Sequence, residues 1–239
     1  MKHCPKWSLD GGDAALLQHL QGPRRAEVVE GIRKHYYNAK RAETCLFVDD
    51  HNGLWPEIVG KTLREVAETL LDTTDYAEAA AEVLLRTKAM ANCVFFVMSE
   101  ADMLHFLKQD ICIGSDGYAY SADAALVPGR PHPRSYGAFA EFFRLSQDKQ
   151  LCSIEEAVRR MSGKNAALAG IKDRGMLKVG LVADIAVFSA ADFASEATYL
   201  QPLHPARGMR QVIINGRFAL KDGVQTAHRG GIILKHGIN

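Results

Sequence analysis

The residues most able to do chemistry sit at the end of one short apolar run. Ile111-Cys112-Ile113 leads into Gly114-Ser115-Asp116-Gly117, and His132-Pro133-Arg134 follows downstream. A glycine-flanked acid at the end of a buried strand is how an α/β barrel presents a catalytic carboxylate, because the strand's C-terminal end opens into the site. A carboxylate can take a proton and return it to a leaving group. A guanidinium presents parallel donors that match a planar anion. The local sequence leaves both open: Asp116 is either such a carboxylate or a turn residue bonded to its own backbone. Arg134 is either an anion clamp or a solvated loop arginine. His132, between two prolines, reads as a surface loop residue rather than a metal ligand.

The elements that must position these residues are announced by their caps. Thr62-Leu63-Arg64-Glu65 is a capping box, followed by Leu63, Val66, Ala67 and Leu70 at helical spacing. Asp75 and Glu78 open a second helix, Ser99 and Asp102 a third, and Ser153-Ile154-Glu155-Glu156 a fourth. Cys93 to Met98 and Ile111 to Ile113 are continuous apolar runs that fit strands buried on both faces, as in a parallel sheet. Strand, capped helix and strand give the βαβ rhythm of a barrel or open α/β sheet. After about Gly163 the pattern turns β-rich. Ala183 to Phe188 reads as a strand, and Gln211 to Leu220 as a hairpin turning at Asn215-Gly216. Asp222-Gly223 and Gly230-Gly231 punctuate the tail. Ser121 to Arg130, with Pro128 and Gly129, reads as a small-residue loop.

Composition excludes several classes. The chain has 239 residues, 29 basic against 28 acidic, with no run of either sign, so a phosphate-binding basic face has no support. No apolar window is long enough to span a membrane, and Met1-Lys2-His3-Cys4-Pro5 lacks a signal peptide's apolar core. Five scattered cysteines, Cys4, Cys45, Cys93, Cys112 and Cys152, read as the reduced thiols of a cytoplasmic protein.

The order of motifs resembles the C-terminal half of the N-acyl-D-amino-acid deacylases (D-aminoacylases) of the amidohydrolase superfamily. The residues that carry it are Trp7-Ser8-Leu9-Asp10-Gly11-Gly12, Phe95 to Asp102, Gly114-Ser115-Asp116-Gly117, His132 to Gly137, Glu155 to Met161 and Asp173 to Asp184. The resemblance implies the C-terminal part of a TIM-like (β/α) barrel over residues 1–163, with a helical insertion at about 53–90. A small antiparallel β-domain over 164–239 would follow. It implies hydrolysis of N-acyl-D-amino acids to a carboxylate and a D-amino acid, with zinc lowering its water's pKa and polarising the carbonyl. By resemblance Asp116 is the carboxylate that takes the water's proton and passes it to nitrogen. Arg134 is then the clamp for the substrate carboxylate. Trp55, in Trp55-Pro56-Glu57, either helps form the acyl pocket or packs in the core.

One part of the family pattern is missing from this sequence. Nine histidines occur, none closer than eight residues to the next, and there is no His-x-His pair. The family's ligating Cys and His precede the segment matching Trp7, and a catalytic metal needs about three converging ligands. The expectation is therefore a C-terminal fragment that holds no zinc tightly and is inactive alone. Its unpaired edges would be met by a chain carrying the N-terminal half or by self-association. The alternative, from another class, is a non-catalytic binding or regulatory module derived from the same fold.

Overall fold

The caps read from the sequence start helices where they stand. The Thr62 side chain accepts the Glu65 amide, and the Glu65 carboxylate accepts the Thr62 amide at 2.7 Å. Asp75 accepts from the amides of Ala77 and Glu78, Ser99 from Asp102, and Ser153 from Glu156. Each cap satisfies a donor that a first helical turn would otherwise leave without a partner. The computed structural model describes residues 3–121, 123–127 and 129–234. Contacts divide the chain into Met1–Val97 and Met98–Asn239.

The first unit holds α1 (Gly12–Gln21), α2 (Arg25–Arg33), α3 (Ala39–Glu43), β1 (Cys45–Asp49), α4 (Leu63–Glu65, continued by a π-helical turn Val66–Leu70), α5 (Tyr76–Arg86) and β2 (Asn92–Phe95). Its core packs Leu16 and Leu20 of α1, Val28 and Ile32 of α2 and Val83 of α5 around Ile58, Leu63 and Val66. The helices before residue 44 carry no capping box, and the sequence reading passes over them. β2 pairs antiparallel with β1, Phe47 opposite Cys93, and it is only half-buried. This corrects the parallel, doubly buried strand expected there. A strand takes the orientation of whatever edge is offered, and here that edge is β1.

The second unit contains α6 (Glu100–Leu107), α7 (Arg134–Asp148), α8 (Ile154–Met161), α9 (Gly163–Leu168), and strands β3 (Ile185–Phe188), β4 (Met209–Ile214), β5 (Arg217–Lys221) and β6 (Val224–Gln225). The strands form one antiparallel sheet in the order β3-β4-β5-β6. Asn215 and Gly216 turn the β4–β5 hairpin at φ 51° and 77°, the pair of positive values that a type I′ turn needs. Asp184 accepts the Asn215 amide at 2.7 Å and ion-pairs with Arg174, whose other nitrogen reaches Asn215 Oδ1 at 2.9 Å. The Ala-Asp-Ile segment therefore anchors the hairpin turn. Phe143 of α7 meets Phe188 of β3 edge-on at 5.3 Å, which ties helix to sheet.

Two further expectations meet a different outcome. Arg134 begins a 15-residue helix, with Pro133 at its N-cap and His132 just before it, rather than lying in a loop. Pro133 is fixed near the helical φ, at −57°, and Ala140, Phe142, Phe143 and Ser146 give α7 its buried stripe. Ile111–Ile113 lies in no strand and pairs with none among the described residues. Helices α8 and α9 meet its backbone instead. Arg160, 1% exposed, donates to the carbonyls of Leu107 at 2.8 Å and Ile111 at 2.9 Å. Asn165 donates to Ile113 O at 2.8 Å, and the Ile113 amide donates to Arg160 O at 3.1 Å. The loop reading over 121–130 includes Ala122 and Pro128, which lie outside the described residues; Asp123 caps a short 3-10 turn, Ala124–Leu126.

Removing the Arg160 guanidinium takes the donor from two part-buried carbonyls. Arg160→Met should therefore lower unfolding stability by about 2–4 kcal/mol. Urea denaturation measures this, and a loss under about 0.5 kcal/mol would show that the carbonyls find other partners.

Candidate functional site

The path from Arg160 to the acidic loop is short. The pinned segment runs Ile111-Cys112-Ile113 and then enters Gly114-Ser115-Asp116-Gly117, where Asp116 takes φ +49°. Aspartate is among the few non-glycine residues that adopt this left-handed region readily. Gly117 then passes against the first turn of α7. A Cβ there would stand 2.8 Å from Ser135 Cα and 3.0 Å from Ser135 Oγ, so only glycine allows the approach.

That approach brings Asp116 to Arg134. Asp116 Oδ2 and Arg134 Nη2 are 2.9 Å apart, with the aspartate side chain 87% exposed and the arginine 42%. An ion pair so open to water contributes at most about 1 kcal/mol, so it separates readily when a competing anion arrives. Arg134 is also the first residue of α7, where the positive end of the helix dipole favours anions. His132 accepts the Arg134 amide at Nδ1, 3.1 Å away, which makes Nε2 the protonated nitrogen of the neutral ring. Its ring stands edge-on to Tyr199 at 5.2 Å.

Beside Arg134 and His132 opens a groove of about 400 Å³, with Leu107, Ile113, Phe142 and Leu145 among its apolar walls. The sequence reading did not anticipate this groove, because it is made by α7 and by the segment around Ser195 to Tyr199. The Met103, Phe106 and Leu107 stripe of α6 is not buried, and Phe106 is 58% exposed.

Trp55 belongs to the other unit. It is buried in that core, its amide donates to Asp50 Oδ2 at 3.0 Å, and the Arg86 guanidinium lies over its ring at 4.4 Å. Asp116 and Arg134 are thus brought together within the second unit. Among the described residues, no three His, Cys, Asp or Glu are placed to hold a metal ion. No helix among them is long and apolar enough to cross a membrane.

Comparison with known proteins fits this geometry. The model of the amidohydrolase family matches residues 115–219, a span that begins at the acidic loop and includes Arg134. N-acyl-D-aspartate deacylase of Alcaligenes xylosoxydans xylosoxydans is 32% identical over 187 residues, covering 77% of this chain. The chain is similar to part of the N-acyl-D-amino-acid deacylases, and the amidohydrolase match lies within it. A crystal structure of D-aminoacylase superposes with a TM-score of 0.62 at 30% identity over 78% of the chain. N-acyl-D-glutamate deacylase from Bordetella bronchiseptica, crystallised with zinc and a phosphonate inhibitor mimicking the tetrahedral intermediate, matches at TM-score 0.59 and 27% identity over 78% of the chain. The chain spans 34%, 36% and 38% of these three proteins. The solved N-acyl-D-glutamate deacylase holds zinc, whereas the donors among the described residues do not by themselves fit a metal.

Two outcomes test this geometry. Gly117→Ala should cost about 1–3 kcal/mol through the clash with Ser135, while Asp116→Asn, which keeps the backbone preference, should cost under about 0.5. Thermal unfolding of both variants decides, and equal losses would contradict the close approach. Second, burial and then the Arg134 guanidinium hold the His132 imidazole below its ordinary value, with Asp116 opposing. The folded state thus favours the neutral ring. Its contribution is full above about pH 6.5 and is lost as pH falls through the lowered value. Acidification from about pH 7 to about pH 5 should destabilise the wild type more than His132→Gln, and parallel pH–stability curves would contradict this.

Proposed function

We propose that this chain supplies the carboxylate and the substrate clamp of an N-acyl-D-amino-acid deacylase, a hydrolase of linear amides. The observation that carries the reading is the Asp116–Arg134 pair, 2.9 Å apart at the start of α7 and inside the segment matched to the amidohydrolase family. In this reading Arg134 exchanges its exposed partner for the carboxylate of the N-acyl-D-amino acid, holding it through two parallel donors. Asp116, released from the pair, accepts a proton from the attacking water at a carboxylate oxygen and delivers it to the leaving nitrogen. Substrate binding thereby frees the base that acts on it. Trp55, enclosed in the first unit, serves packing there.

Residues 1–163 would then be part of a (β/α) barrel and 164–239 its small β-domain. The chain alone would be inactive, because zinc chemistry needs ligands that the described residues do not gather. Phe106 of α6 at 58% exposure and Leu177 at 81% support a need for a further chain carrying the remainder of the enzyme.

The test supplies in trans the portion of the relatives that this chain does not span. Deacylation of N-acyl-D-amino acids should appear. Asp116→Asn should lower it by about 10²-fold or more with metal content retained, since an amide accepts no proton from water. Arg134→Lys should chiefly raise KM, a point charge replacing the fork. Full activity in Asp116→Asn would remove the proton-transfer role. Two parts that assemble without activity would point to the binding-module reading.

A further inference from the structure

The relatives differ in the side chain named for their substrates, aspartate, glutamate or a D-amino acid at large, and the groove beside Arg134 bears on that choice. We propose that this groove receives the side chain of the D-amino acid and selects apolar side chains over carboxylate-bearing ones, with Glu141 as the excluding residue. The inference rests on the reading of Arg134 as the carboxylate clamp.

Among the described residues, Arg134 is the only lysine or arginine lining the groove. Once it holds the substrate's α-carboxylate, a second carboxylate on the side chain finds no cation. The walls it would meet are Met103, Leu107, Ile113, Phe142 and Leu145, and the one ionisable carboxyl group among the lining residues is Glu141. The other guanidinium on α7, Arg144, is taken: its Nη2 lies 2.6 Å from Glu141 and its Nη1 pairs with Asp148. His132, held below its ordinary pKa by burial, is neutral at pH 7 and offers no charge. An acidic side chain would lose hydration and gain a like-charged neighbour, whereas an apolar one gains contact with the walls. The side chain and the acylamino group branch from the same carbon; the amide must face Asp116, which is not among the lining residues, and that leaves the groove to the side chain.

NMR shift titration of the chain with four acids tests this: N-acetyl-D-leucine, N-acetyl-D-glutamate, N-acetylglycine and N-hexanoylglycine. N-acetyl-D-leucine should bind about tenfold more tightly than N-acetyl-D-glutamate, with N-acetylglycine between them. Glu141→Gln, a change at a half-exposed side chain, should strengthen N-acetyl-D-glutamate severalfold and leave N-acetyl-D-leucine within about twofold. Equal or tighter binding of N-acetyl-D-glutamate by the wild type overturns the selection while leaving the clamp intact. An unchanged gap in Glu141→Gln overturns the role of Glu141. N-hexanoylglycine gaining as much as N-acetyl-D-leucine would assign the groove to the acyl group and overturn the proposal. Failure of all four acids to bind overturns the clamp itself.

Discussion

The second unit depends on one buried cation. Arg160 is almost fully enclosed and, among the described residues, makes no ion pair; its charge is met by the carbonyls of Leu107 and Ile111 and by the face of Phe142, 4.9 Å from the guanidinium carbon. Enclosing a guanidinium is costly; Nη2 finds no hydrogen-bond partner among the described residues, while the chain brings carbonyls to Nε and Nη1. The end of α6 and the segment after it supply them. The acidic loop is thereby placed against α7 by the needs of a residue that touches neither Asp116 nor Arg134. The same helix, α8, contributes Ala157 to the cluster with Ile113, Phe142 and Phe143. Packing and charge satisfaction fix the same arrangement.

The site reads as two levels of interaction with different strengths. The scaffold beneath it is firmer: the buried Ile113, Phe142, Phe143 and Arg160, with backbone hydrogen bonds, set the distance between the acidic loop and the helix start. The pair above it is wet, and an exposed ion pair is weak. A weak pair on a firm base suits a group that must exchange partners, because geometry persists when the contact opens. The relatives carry this segment within longer proteins, of which the match spans about a third.

Much of this was legible in the sequence where the signal is local. Thr62, Asp75, Ser99 and Ser153 announce their helices because a cap acts within four residues, and Asn215-Gly216 announces a hairpin because the turn itself demands positive φ. Helix α7 was missed because two prolines precede it and the residue at its N-cap is itself proline, without a side-chain acceptor. The Ile111–Ile113 run reads as a sheet strand because an apolar run looks the same in sequence whether strands or helix side chains meet its backbone. Only the long-range partners Arg160 and Asn165 decide between them. Asp116 and Arg134 were each picked out, but their pairing depends on Gly117 passing Ser135. No spacing rule encodes that contact.

The most direct measurement of this dependence is the set of nuclear Overhauser contacts between Gly117 and Ser135, in the wild type and in Arg160→Met. The account predicts clear contacts in the wild type that vanish in the variant, while amide protection along α7 survives. Contacts that persist without the guanidinium, or that are absent from the wild type, would contradict the claim that a buried arginine sets the position of the acidic loop.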